Sequence, residues 1–182
     1  FSLDFSDNVS YAITGANGSG KSTLLQVIAG ATTNSEGKLL YEKENGTLIT
    51  EPFRHMAIAA PYLELIEELT ATELLGFHAG FKKLTASIQE ILESVNLDKA
   101  AHKQIRYFSS GMKQRLKLAQ AFFSESTLLL LDEPTTNLDI EGVNLYESLI
   151  KNYAGNRLLI ISSNVPKEYD FCKNIIKIED YK

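Results

Sequence analysis

Gly15-Ala16-Asn17-Gly18-Ser19-Gly20-Lys21-Ser22-Thr23 is the stretch whose reading decides the fold. It matches G-x-x-x-x-G-K-[ST], the phosphate-binding loop. Its setting is the one the motif requires. An apolar segment from Val9 to Thr14 reads as a strand before it, and Ser22 to Ala29 reads as a helix after it. The glycines let the backbone wrap an anion and present successive N–H groups to it, and the helix adds its positive end. Lys21 is then placed to reach β- and γ-phosphates, and the Ser22 hydroxyl to ligate Mg²⁺. The chain reads as a nucleoside-triphosphate-binding protein.

A length of 182 residues suffices for one substantial α/β domain with a small helical insertion. A hydrophobic fraction of 44% is ordinary for a globular protein. No apolar run approaches the roughly 20 residues of a membrane-spanning helix. A net charge of −5 argues against bulk nucleic-acid binding, which calls for a basic surface. The single cysteine, Cys172, excludes an internal disulfide and reads as a helical packing residue in Tyr169-Asp170-Phe171-Cys172. No signal peptide is visible. The chain opens on Phe1 rather than Met, so an N-terminal piece is expected upstream.

Along the chain, Phe1, Leu3 and Phe5 alternate with Ser2 and Asp4, the period of a half-buried strand. Leu39 to Glu42 and Thr47 to Thr50 flank Asn45-Gly46, a hairpin signal. Met56 to Ala60 reads as a short buried strand stopped by Pro61. Thr70-Ala71-Thr72-Glu73 is a capping box opening a helix, and Ile88, Ile91, Leu92 and Val95 mark the face of another. A helical insertion therefore occupies about 70–124, closing with a helix over Ser110 to Phe123. Leu128 to Leu131, Leu158 to Ser162 and Ile175 to Ile178 read as buried parallel strands with helices between them. The fold class is α/β: a phosphate-loop core with a parallel sheet, a small antiparallel flank and a helical insertion, in one domain over 1–182.

Leu128-Leu129-Leu130-Leu131-Asp132-Glu133 is an apolar strand ending in two carboxylates. A strand in a parallel sheet delivers its C-terminal residues to the ligand crevice, beside the phosphate loop. Asp132 can hold Mg²⁺, and Glu133 can orient and deprotonate a water that attacks the γ-phosphate.

Between these elements lies Tyr107-Phe108-Ser109-Ser110-Gly111-Met112-Lys113-Gln114-Arg115, and after them Pro134-Thr135-Thr136-Asn137-Leu138-Asp139. With these motifs in order, the whole chain resembles the ATP-binding-cassette (ABC) ATPases, the nucleotide-binding subunits of ABC transporters. The resemblance implies a P-loop NTPase core of the ABC ATPase type, with ATP as substrate and Mg²⁺ as its metal. It places Phe108 to Met112 at the family's Leu-Ser-Gly-Gly-Gln signature and Asn137 to Asp139 at the loop that crosses between two cassettes. In the family two cassettes pair head to tail, each ATP lying between one phosphate loop and the other copy's signature. Ser109, the Gly111 N–H and the start of the following helix make such an anion site.

The chain departs from that family pattern in four places. Ser110 and Met112 replace the first glycine and the glutamine of the signature, while Ser109 and Gly111 are kept. The glutamine that follows the strand ending near Ala60 is missing, and Tyr62 stands nearest its position; a phenol offers no amide carbonyl to a metal. Asn164, in Ser162-Ser163-Asn164-Val165-Pro166, falls where the family has histidine; it can donate a hydrogen bond but cannot shuttle a proton, so slow hydrolysis is expected. The aromatic that stacks on adenine belongs upstream of Phe1.

The expected site thus comprises Lys21, Glu133 and Asn164 as catalytic residues. Gly15 to Thr23 with Ser109 and Gly111 bind nucleotide, and Ser22 and Asp132 hold the metal. His55, His78 and His102 lie away from the carboxylates and read as surface or packing residues. Lys113, Arg115 and Lys117 read as a solvated helix face, with Leu116 and Leu118 turned inward. The function this implies is an ATP-hydrolysing subunit that powers a transporter through ATP-driven dimerisation. It would lie in the cytoplasm, on the inner face of the membrane, docked to a separate permease through the surface near Tyr62 to Thr70. No nucleic-acid partner is expected. The alternatives are a degenerate nucleotide-binding module with little turnover and a soluble ABC ATPase outside transport.

Overall fold

Segments that are apolar at nearly every position, such as Leu128–Asp132 and Leu158–Ser162, are satisfied only where both faces are covered, as in the middle of a parallel sheet. The computed structural model describes residues 2–34, 36–43 and 45–181. Its strands are β1 (Ser10–Thr14), β2 (Met56–Ala59), β3 (Leu128–Asp132), β4 (Leu158–Ser162) and β5 (Asn174–Lys177). They form one five-stranded sheet in the order β2-β3-β4-β1-β5. All four pairings are parallel. The chain leaves β1 for the far edge and returns through β3 and β4. The C-terminal end of β4 therefore lies between those of β1, which carries the phosphate loop, and β3, which carries the carboxylates.

Alternation along the strands divides the core in two. On one face Ile13, Met56, Leu128, Leu130 and Ile160 pack with Leu25 and Ile28 of α1 (Lys21–Ile28). On the other, Ala12, Ala57, Leu129, Leu131, Leu159 and Ile161 join the helical region. That region consists of α2 (Ala71–Ala79), α3 (Ile88–Ser94) and α4 (Ser110–Phe122), followed after β3 by α5 (Ile140–Tyr153). Capping boxes open α2 at Thr70/Glu73 and α3 at Ser87/Glu90. The insertion is closed at its neck by backbone bonds from the Ile105 N–H to Leu69 O and from the Arg106 N–H to Glu67 O, at 2.9 and 3.0 Å.

Five readings need correction. The strand read as buried over Ile175 to Ile178 is parallel but lies at the sheet edge as β5, paired to β1 alone, so it is largely exposed. Leu3 and Phe5 form no strand: β1, the strand they lead into, is already paired on both edges, and Phe5 instead packs edge-on against Tyr11. Phe1 lies outside the described residues. The hairpin around Asn45-Gly46 is reduced to a turn with one antiparallel bridge, Glu42 to Leu48, because its strands have no sheet beside them; Glu44 lies outside the described residues. Between β4 and β5 there is no α-helix, only a single 3-10 turn, Pro166–Glu168. Cys172 accordingly sits in a turn rather than a helix. It is a packing residue all the same, its thiol pushed up to about 11, chiefly by burial.

Leu130 has no exposed surface and sits centrally in the α1-facing core. Leu130→Ala is expected to cost roughly 2–5 kcal/mol, on the order of 10 °C in melting temperature for a domain of this size. Thermal denaturation checks this; a shift of a degree or less would contradict the packing described.

Candidate nucleotide site

The turn from β1 into α1 needs glycine at three places. Gly15, Gly18 and Gly20 have φ of +150°, +76° and +103°. Gly15 is also closely packed: a β-carbon there would stand 2.7 Å from both Ile178 Cγ2 and Glu179 Oε1. The loop is held in shape by its neighbours. The Ala16 N–H donates to Glu179 Oε1 at 2.7 Å, and the Ser19 N–H to Ala16 O at 3.0 Å. Lys21, 5% exposed, donates from Nζ to Gly15 O at 2.8 Å and Ala16 O at 3.2 Å. An ammonium has three donors, so one remains for a phosphate oxygen. Asn17, Gly18, Gly20, Lys21, Ser22, Thr23 and Glu133 line a cavity of about 210 Å³.

Asp132 shares the pleat of Leu128 and Leu130, so its carboxylate points toward α1 and the phosphate loop. It is 1% exposed, and Oδ1 has no hydrogen-bond partner among the described residues. The register sets Ser162 beside Asp132, and its Oγ is likewise buried without a partner there. A buried carboxylate oxygen without a donor is costly on its own and suits a cation or its bound water. Ser22, in the first turn of α1, lines the cavity, and its hydroxyl with the Asp132 carboxylate makes an all-oxygen donor set that fits Mg²⁺, a hard ion that takes oxygen ligands. Tyr62 feels the charge of this carboxylate. Burial first, and the Asp132 charge second, raise its hydroxyl above the usual phenol range, while a hydrogen bond with Gln26 of α1 opposes them.

Glu133 has a backbone φ of +41°, a conformation that side chains rarely adopt. It is held there from outside: its N–H donates to Ser162 O at 2.8 Å, and the Thr136 N–H donates to its carbonyl at 3.1 Å. The result aims its side chain into the cavity. Asn164, after β4, donates from Nδ2 to Asn17 Oδ1 of the phosphate loop at 2.7 Å, placing its amide at the rim of the same cavity.

Ser109 and Gly111 are not in this cavity. Ser109 caps α4, its Oγ accepting the Met112 N–H at 3.2 Å. Gly111 is pressed against the Asn137 loop, where a β-carbon would stand 3.1 Å from Asn137 O. The basic residues of α4 are not a solvated face. Lys113 pairs with Glu67, Arg115 reaches Asp139 Oδ1 at 3.2 Å, and Lys117 donates to Pro61 O at 2.8 Å. These contacts depend on residues 24 to 56 positions away in the chain. Gln114 is buried and donates to Pro134 O at 2.8 Å, tying α4 to the turn after Glu133. Sequence reasoning passed over Gln114 and also Glu168, a carboxylate 1% exposed beside Thr135 and Ser163. A lone Glu after Pro166 carries no local signal of burial.

The family model described as ABC transporter matches residues 1–136. An uncharacterized ABC transporter ATP-binding protein of Bacillus subtilis is 30% identical over 98% of this chain, and the chain spans 60% of that relative's length. The cytochrome c biogenesis ATP-binding export protein of Mesorhizobium japonicum is 34% identical over 91% of the chain, which spans 82% of it. Among solved structures, a bacterial ABC transporter cassette known as a dimer superposes with a TM-score of 0.79 at 21% identity, covering 97% of this chain and 84% of its own. At that identity the likeness concerns the fold.

Lys21→Ala removes the cation at the cavity wall and two of the bonds that shape the loop. Affinity for ATP, measured by calorimetry, is expected to fall more than tenfold, the worth of a hydrogen bond to a charged group. Unchanged affinity would move the site elsewhere.

Proposed function

The chain belongs to the ABC transporter family, and from that premise we propose that it is the ATP-binding and ATP-hydrolysing subunit of a membrane transporter, working by ATP-driven pairing of two cassettes. The observation that carries this is one cavity walled by the phosphate loop and Glu133, the residue that follows the buried Asp132 and its unpartnered Oδ1.

The N–H groups of Gly15 to Thr23 and the free donor of Lys21 bind the phosphates. Ser22 and Asp132 would hold Mg²⁺, which when bound would supply positive charge to offset that of the phosphates. Glu133 orients the attacking water and accepts its proton. The second N–H of the Asn164 amide, the first being on Asn17, donates to the γ-phosphate. Ser109 and Gly111 lie outside the cavity, so they serve the ATP held by a second copy, the Ser109 hydroxyl proton remaining free to donate while its oxygen caps α4.

A permease partner has a fitting surface. Pro61, Leu63, Glu64, Leu65, Ile66, Glu67, Lys113 and Lys117 line a groove of about 740 Å³. No helix among the described residues is long and apolar enough to cross a membrane, so a pore needs another segment or chain. The bonds from Lys117 to Pro61 O and from Lys113 to Glu67 join the groove to α4, whose first turn is the signature. Pressure in the groove thereby reaches the face that meets the second copy. On this reading the chain works at the cytoplasmic side of the membrane, held there through the permease.

Binding with little turnover is the second reading, favoured by Tyr62 beside Asp132 and by Asn164 in place of histidine. One variant separates the two. Glu133→Gln can still orient water but cannot take its proton, so it is expected to keep ATP affinity, lose at least nine-tenths of hydrolysis and elute as a dimer in size exclusion with Mg·ATP. A mutant that stays monomeric and matches the parent's rate would overturn both the base and the paired cassette.

A further inference from the structure

Glu168 is a buried carboxylate with no assigned work. No Lys, Arg or His pairs with it among the described residues. Leaving a carboxylate dry without a cation is expensive unless donors surround it. Three do. Oε1 accepts the Thr135 N–H at 2.7 Å and also the Thr135 hydroxyl, and Oε2 accepts the Ser163 hydroxyl. Its own carbonyl accepts the hydroxyl of Tyr146, a residue of α5 with no exposed surface, at 2.7 Å. The backbone at Glu168 is thus fixed from behind, and the side chain spends both oxygens on two loops.

Those loops are the ones that carry the chemistry. Thr135 lies two residues after Glu133, and Ser163 immediately before Asn164. Thr135 belongs to the turn whose next residue donates to the Glu133 carbonyl, the bond that helps hold Glu133 at its unfavourable φ of +41°. A residue kept in such a conformation stays there only while its surroundings over-determine it. One carboxylate that grips both loops sets the spacing between the group that takes the water's proton and the amide that meets the γ-phosphate.

We propose that Glu168 is a positioning residue for ATP hydrolysis: it clamps the Thr135 turn to the Ser163 turn so that Glu133 and Asn164 face the γ-phosphate as one unit. The assignment rests on the reading of Glu133 as base. It touches no part of the phosphate loop, so it acts on turnover and not on ATP binding.

The test compares Glu168→Ala, Glu168→Gln and Thr135→Val by kcat, ATP affinity from calorimetry, and melting temperature. In Glu168→Gln the amide oxygen still accepts both Thr135 bonds. The amide N–H turns to Ser163 Oγ, whose own proton moves to Val165 O, 3.5 Å away. This variant is expected within about threefold of the parent kcat. Glu168→Ala should lose roughly tenfold to a hundredfold in kcat with ATP affinity within about twofold, since misplacement of a catalytic group costs rate more than binding. Thr135→Val, which removes only the hydroxyl bond, should lose several-fold in kcat, and in the Glu168→Ala background it should lose little more. Should Glu168→Ala fail to fold, Glu168→Gln and Thr135→Val still decide: parent-like kcat in the first with several-fold loss in the second supports the clamp. The proposal is overturned if kcat per folded chain is unchanged in Glu168→Ala or Thr135→Val, or if ATP affinity falls in step with kcat, as a purely structural role requires. Glu133→Gln in the same assay separates failures, because a parent-like rate there would sink the base assignment and leave the Glu168 contacts untouched.

Discussion

Ser162 stands in register with Ile13 on one side and Asp132 on the other, and the site depends on that row across three parallel strands. It fixes β4 between the strand that enters the phosphate loop and the strand that ends in the carboxylates. Shifting β3 by one residue would turn Asp132 to the opposite face, into the cluster of Leu129, Leu131 and Tyr146. The register is enforced by burial, since the two faces have separate apolar sets with no room for a charge. The Ser162 carbonyl then receives the Glu133 N–H, so the same row begins the turn that aims Glu133 into the cavity.

From this row outward, polar groups do what apolar packing cannot. Buried Gln114, Glu168 and Lys21 each bond backbone carbonyls or donors of a neighbouring turn, converting a sheet edge into a set of loops with fixed spacing. Each would be destabilising without these bonds and becomes tolerable because of them. The α4 cations extend the arrangement: Arg115 grips Asp139, whose carboxyl is held below its usual range, chiefly by the Gly142 N–H. The helix that begins at Ser109 is therefore tied at one end to the Glu133 turn and along its length to the groove before α2.

The parts legible in the sequence were those specified locally. The phosphate loop needs glycine at fixed steps and a lysine at its end, so nine consecutive residues announced it. The apolar runs, the Thr70 capping box and the Asp132-Glu133 pair are equally short-range patterns. Leu3 and Phe5 misled because alternation reports a half-buried strand only if a neighbour is free to pair, and β1 had none. The α4 cations misled because their partners lie far off in the chain. Glu168 was invisible for the same reason: nothing near Pro166 tells that Thr135, 33 residues earlier, and Ser163 would enclose its carboxylate.

The central claim is that one chain holds half of each ATP site, with Lys21 and Glu133 supplied by one copy and Ser109 and Gly111 by the next. The most direct measurement is steady-state ATP hydrolysis per chain as protein concentration is raised at saturating Mg·ATP. The account predicts a specific rate that climbs with concentration and then levels off as the paired form saturates. A specific rate that is constant from the lowest concentration upward, from a species with the mass of one chain, would contradict it.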